Sequence, residues 1–219
     1  FLCNPPYGER LSDRKSCQKL YGEMHKLLRR HPEITTVVRN VNPTDTALFL
    51  GSESHVLYGE GYITDRLCGL EFRISPRSFY QVNPGQTEKL YSLALDYAGL
   101  TGNETVWDLY CGIGTISLFL AGKAKQVYGV EIVPQAIEDA KKNAVANGCS
   151  NAEFILGDAA VELPALLEGG VSPDVVLLDP PRAGCEERVL EAITKVKPER
   201  IVYVSCNPAS LARDLAYLE

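Results

Sequence analysis

From Thr105 onward the chain alternates short, β-branched apolar runs with amphipathic helical stretches, and that alternation leaves few folds open. The order is TVWDLY then TISLFLAGKA, QVYGVEIV then PQAIEDAKKNAVANG, AEFILGD, DVVLLDPP then EERVLEAITKV, and RIVYVSCNP then ASLARDLAYLE. Alternation of this kind predicts a parallel sheet with crossover helices. VVLL and IVYV are apolar throughout, as strands covered on both faces are. The expectation is an α/β, Rossmann-like domain over 84–219. Its first helix spans 84–100, opened by Pro84 and apolar at Leu90, Leu93, Ala94 and Tyr97. Residues 31–83 read as an antiparallel β-rich module, because TTVVRNV, TALFLG, HVLYGEGYI and LEFRIS are short segments broken by Asn-Pro, Gly-Ser and Gly-Glu-Gly turns. Residues 1–30 form a third segment.

The run DLYCGIG, Asp108 to Gly114, follows an expected strand and opens an expected helix, and Glu131 ends the next strand. Glycines there let the backbone approach a ligand, and an acid after the second strand accepts hydrogen bonds from ribose hydroxyls. A dinucleotide fingerprint would carry a third glycine at position 117, where this chain has Ser117. An adenosine ligand without pyrophosphate fits better. The bland alternative is a tight turn followed by a solvated acid.

Cys206 lies directly after IVYV, at the carboxyl edge where open α/β sheets bind ligands. It also precedes a helix start, whose partial positive charge favours a thiolate. A cysteine is more often a small buried hydrophobe than a nucleophile, so the neighbouring motifs decide the matter. Asp179-Pro-Pro-Arg-Ala-Gly184 ends the fourth strand toward the same crevice, and its successive prolines fix an extended backbone without amide donors.

DLYCGIGTISLFLA, VYGVEIV, LLDPPRAG, VYVSCNPASLARDL and FRISPRSFYQVNP together resemble the RNA uracil-C5-methyltransferase family, in the branch acting mainly on 23S ribosomal RNA. The resemblance covers 31–219 and implies a class I methyltransferase fold using S-adenosyl-L-methionine. By position it implies that Gln81, Tyr110, Gly112, Glu131, Asp158 and Asp179 bind the cofactor and that Cys206 attacks carbon 6 of the base. It also implies a general base beyond Glu219, and two further strands and an RNA-binding domain that these residues do not include. RNA is then the partner, 23S ribosomal RNA favoured over transfer RNA, for a cytoplasmic, monomeric enzyme.

Asn4-Pro5-Pro6-Tyr7, followed by LYGEMHKLLRR, instead resembles the motif of guanine-N2 amino-methyltransferases of ribosomal RNA. A gene fusion or an artefact of assembly would each place it here. Two alternatives to uridine methylation follow: amino-methyl transfer directed by Asn4 and Tyr7, and a non-catalytic module that only binds cofactor or RNA.

Composition limits the rest. The net charge is -6, mildly against a polyanionic partner, but residues 1–40 hold eight Lys or Arg against four acids while 101–219 hold ten against seventeen. Any RNA footprint is therefore local, with a basic helix near 14–30 as one candidate. The seven cysteines show neither a disulfide framework nor a metal-ligand spacing. No run approaches the roughly 18 apolar residues of a membrane span.

Overall fold

The structure, a computed structural model, describes residues 14–42, 50–51 and 53–219. Asn4 to Leu11, Cys3 and most of the expected 46–51 strand lie outside the described residues. The chain divides into two compact units, 1–61 and 62–219, so the 31–83 stretch is shared between them. The first unit holds helix α1 (Arg14–Arg30) and an antiparallel ribbon of β1 (Val37–Val41) with β2 (Glu53–Tyr58).

The second unit opens with another antiparallel ribbon, β3 (Ile63–Leu67) and β4 (Leu70–Ile74), joined by Cys68 and Gly69, both at positive φ. Next come α2 (Pro84–Ala98), β5 (Thr105–Leu109), α3 (Thr115–Ala121), β6 (Gln126–Glu131), α4 (Pro134–Ala146), β7 (Ala152–Leu156), α5 (Ala159–Glu168), β8 (Val175–Leu178), α6 (Glu187–Val196), β9 (Arg200–Tyr203) and α7 (Pro208–Leu218). The five strands from β5 onward are parallel, in the order β7-β6-β5-β8-β9. This is the Rossmann-like sheet that the alternation predicts.

Strand alternation sorts the core into two layers. Val106, Val127, Val175 and Leu177 pack with α2, α3, α4 and the β3–β4 ribbon. Trp107, Leu109, Val176 and Leu178 pack on the opposite face with α5 and α6. All four residues of β8 are buried, which accounts for its unbroken apolar run. Pro84, Pro134 and Pro208 each occupy a first helical turn, where a missing amide costs nothing.

One expectation fails in α2. Of its four expected apolar contacts only Ala94 is buried; Leu90, Leu93 and Tyr97 are 36%, 50% and 70% exposed. The buried face is Thr87, Tyr91, Ala94 and Ala98, an i, i+4, i+7, i+11 series. Apolar residues stand on both sides of this helix, so periodicity alone cannot choose the inward one.

Candidate active site

The turn after β5 is built to expose backbone. Tyr110 takes a left-handed φ of 66°, unusual for a side chain of its size, while its amide and that of Cys111 donate to the Val130 carbonyl at 2.9 and 3.1 Å. Gly112 follows at φ 56° and Gly114 at φ 81°. The two glycines serve different ends. A Cβ on Gly112 would stand in open space, whereas one on Gly114 would lie 2.7 Å from the Phe154 ring. Gly112 therefore lines the approach to a cleft, and Gly114 lets α3 close onto the sheet.

That cleft lies at the carboxyl ends of β5 and β8, and Gln81, Tyr110, Gly112 and Asp179 all line it, with Phe79, Tyr91 and Asp108. Tyr91 shares a 2.9 Å hydrogen bond with Thr115 Oγ1 across the mouth of α3. Glu131 is not a lining residue but grips the loop: its carboxylate accepts from the Gly112 amide at 3.1 Å and the Val133 amide at 3.0 Å. Each oxygen retains a lone pair. Asp158 stands outside the lining, where one oxygen caps α5 by accepting from the Ala160 amide at 2.9 Å. It still borders Glu131 through the strand ends, since the Gly157 amide donates to the Glu131 carbonyl at 3.0 Å.

Asp108 and Ser117 carry roles that the sequence reading leaves unassigned. Ser117 is fully buried and donates its hydroxyl to Asp108 Oδ2. Asp108 is itself buried, and its Oδ1 has no hydrogen-bond partner among the described residues. Burial lifts its carboxyl to about 7 against the opposing pull of Ser117, and the charges of Asp179 and Glu131 add to the rise. Burial likewise lifts Asp179 to about 6. An unmet carboxylate oxygen in a cleft floored by an open glycine suits a ligand with an adenosine body and a cationic amine, which S-adenosylmethionine is. A charge inside the apolar run VWDL was the available signal for Asp108.

Cys206 is exposed and lies outside the cleft lining. β8 and β9 pair Leu178 with Tyr203, and the Val204 amide donates to the Leu178 carbonyl at 2.7 Å, so Asp179 and Val204 end their strands side by side. Cys206 stands two residues past that level. The segment from Arg182 to Cys185 is tied to α7: Asn207 Nδ2 and Ser210 Oγ donate to the Arg182 carbonyl at 3.0 and 3.2 Å, and Arg213 Nη2 donates to the Ala183 carbonyl at 2.9 Å. Asp214, fully buried, accepts from the Cys185 amide at 2.7 Å and from the Tyr203 hydroxyl. The Arg182 and Ala183 carbonyls are thus engaged by the cap and side chains of the helix that follows Cys206. Cys111 and Cys185 are buried thiols that burial pushes up, so they pack rather than react.

A parallel sheet in this order, with a glycine loop and strand-end acids around one cleft, is the S-adenosylmethionine-dependent methyltransferase fold. A family model described as "Methyltransferase domain" matches residues 100–217, and the chain belongs to that family. It is 54% identical to an uncharacterized RNA methyltransferase of Halalkalibacterium halodurans over 97% of this chain and 45% of that protein. An uncharacterized RNA methyltransferase of Bacillus cereus is 56% identical over 90% of this chain and 43% of its own length. The chain thus spans less than half the length of these relatives. Among solved structures, the tRNA (uracil-54, C5)-methyltransferase of Pyrococcus abyssi, in complex with S-adenosyl-L-homocysteine, superposes with a TM-score of 0.69 at 31% identity, covering 84% of this chain and 44% of that one. No helix among the described residues is long and apolar enough to cross a membrane.

Proposed function

We propose that the protein containing this chain methylates carbon 5 of uridine in RNA, 23S ribosomal RNA being the favoured target, through a covalent adduct of Cys206. The observation that carries this reading is the exposed thiol at the carboxyl end of β9, beside the strand end that delivers Asp179 to the cleft. The likeness to a uracil-C5 methyltransferase supports it.

Carbon 5 of uracil is too weak a nucleophile to take a methyl group unaided, and a thiol meets that need. The Cys206 thiolate adds to carbon 6, its sulfur–carbon bond forming as the ring electron pair moves onto the carbon 4 oxygen. Carbon 5 of that enolate is now electron-rich. S-adenosylmethionine supplies an electrophilic methyl group on a positively charged sulfur. Once carbon 5 carries the methyl, a base takes the carbon 5 proton, the electron pair left behind re-forms the carbon 5–carbon 6 double bond, and the carbon 6–sulfur bond breaks to release the Cys206 thiolate. One difficult step is divided into easier ones.

The residues around the cleft have matching tasks in this reading. Gly112 opens the loop to the ligand. Glu131 accepts from ribose hydroxyls with its remaining lone pairs, and Asp158, on the adjacent strand end, serves the adenine side. Asp108 Oδ1 accepts from the ligand's ammonium, and Gln81, Tyr110 and Asp179 close the walls. RNA from a strain lacking the gene tests the proposal. Mapping is expected to show one 5-methyluridine missing from 23S ribosomal RNA; loss of an N2-methylguanosine instead would contradict it.

A further inference from the structure

The helix α4 face toward β4 carries Asp139, Asn143 and, at its C-cap, Asn147, spaced by four residues. Each engages every second residue of the strand and its extension. Asn147 accepts from the Glu71 amide at 2.9 Å and donates to the Glu71 carbonyl at 2.7 Å. Asn143 accepts from the Arg73 amide at 2.7 Å and donates to the Arg73 carbonyl at 3.3 Å. Asp139 accepts from the Ser75 amide at 3.2 Å and the Ser78 hydroxyl at 3.0 Å, with Arg73 Nε 3.2 Å away. The spacings explain the fit: four helical residues rise about 6 Å, and two strand residues advance about 6.8 Å. Side chains of a helix here take the place of a neighbouring strand along the edge of β4.

Asn143 does something its neighbours do not. It is 1% exposed, and the same Nδ2 that reaches Arg73 also donates to the Ile113 carbonyl at 3.1 Å, inside the glycine loop. Asp139, one turn earlier, holds Ser75 and Ser78 just ahead of Phe79, Tyr80 and Gln81. Those three residues form one wall of the cleft, and Gly112 and Ile113 form another. We propose that Asn143 is a positioning residue for cofactor binding, its amide setting the separation between the glycine loop and the 79–81 wall. The proposal rests on the cleft being the cofactor site.

Asn147 is a built-in control, because it supports β4 in the same way without touching the loop. Binding of S-adenosylhomocysteine to the full chain, measured by calorimetry beside thermal melting, separates the two roles. Both Asn143→Ala and Asn147→Ala are expected to lower the melting temperature. Only Asn143→Ala is expected to weaken binding, by about tenfold, the scale of one unmet buried hydrogen bond. Affinities that stay within about twofold of each other, a difference too small for such a bond, would overturn the proposal. Should Asn143→Ala fail to fold, hydrogen exchange on the unaltered chain decides: the ligand is expected to slow exchange at the Arg73 and Ser75 amides as well as in the glycine loop, and slowing confined to the loop would overturn it. An unaltered chain that does not bind S-adenosylhomocysteine would instead remove the cofactor reading itself.

Discussion

The carboxyl of Asp108 sits where ionisation is costly, and its pH behaviour follows. Its folded value of about 7 exceeds the ordinary 3.8, so its contribution to stability is fully present below about 3.8 and is lost as pH rises through about 7. The ligand-free chain is expected to lose thermal stability across that window, and Asp108→Asn to show a shallower loss. Asp179, lifted to about 6, leaves a residual slope in the variant. Cofactor affinity runs the other way, because a cationic amine favours the ionised carboxylate. Calorimetry at pH 6 and pH 8 should show tighter binding at the higher pH, with the dependence reduced in Asp108→Asn. Gly114 yields a second prediction at this scale. Alanine there combines a left-handed backbone with a Cβ 2.7 Å from Phe154, so Gly114→Ala is expected to cost about 2–4 kcal/mol in denaturant unfolding. Gly112→Ala meets open space and should carry only the backbone strain, of order 1 kcal/mol.

At the scale of elements, α7 and the 182–185 segment form one unit beside the thiol. Asn207 both caps α7, accepting from the Ala209 amide at 3.1 Å, and donates to the Arg182 carbonyl. Asn207→Ala is expected to cost about 1–2 kcal/mol in thermal or denaturant unfolding, and an unchanged stability would contradict the clamp. The elements themselves were largely legible in the sequence. β5 through β7 and β8 through α7 declare themselves because β-branched runs and helical periods alternate at short intervals, and Pro84 marks a helix start; α5, with Pro164 inside it, was not legible between AEFILGD and DVVLLDPP. The buried face of α2 was not legible, since Leu90, Leu93 and Tyr97 compete with Tyr91 and Ala98 as an apolar side. Nor was the ladder on α4: Asp139, Asn143 and Asn147 repeat every fourth residue, which in sequence looks like a solvated helix face. Within the site, Gln81, Tyr110, Gly112 and Asp179 line one cleft, whereas Glu131, Asp158 and Cys206 do not line it. Ser117 was legible only as a missing glycine, because its bond to Asp108 depends on how α3 leaves the loop.

For the whole molecule, the division at residue 61 matters most. Every residue lining the cleft, and Cys206, belongs to the unit 62–219. Removing 1–61 is therefore expected to leave S-adenosylhomocysteine affinity unchanged by calorimetry, and a lost affinity would show that the first unit contributes to the site. The central claim is that Cys206 bonds to uracil, and trapping tests it most directly. In RNA containing 5-fluorouridine, carbon 5 bears a fluorine that cannot depart as a proton does, so the sulfur–carbon bond persists after methyl transfer. Incubating the protein that contains this chain with such RNA and S-adenosylmethionine should give a denaturation-resistant complex whose peptide map places the RNA on Cys206, absent in Cys206→Ala. An adduct on another residue, or no adduct while unmodified RNA is still methylated, would contradict the account.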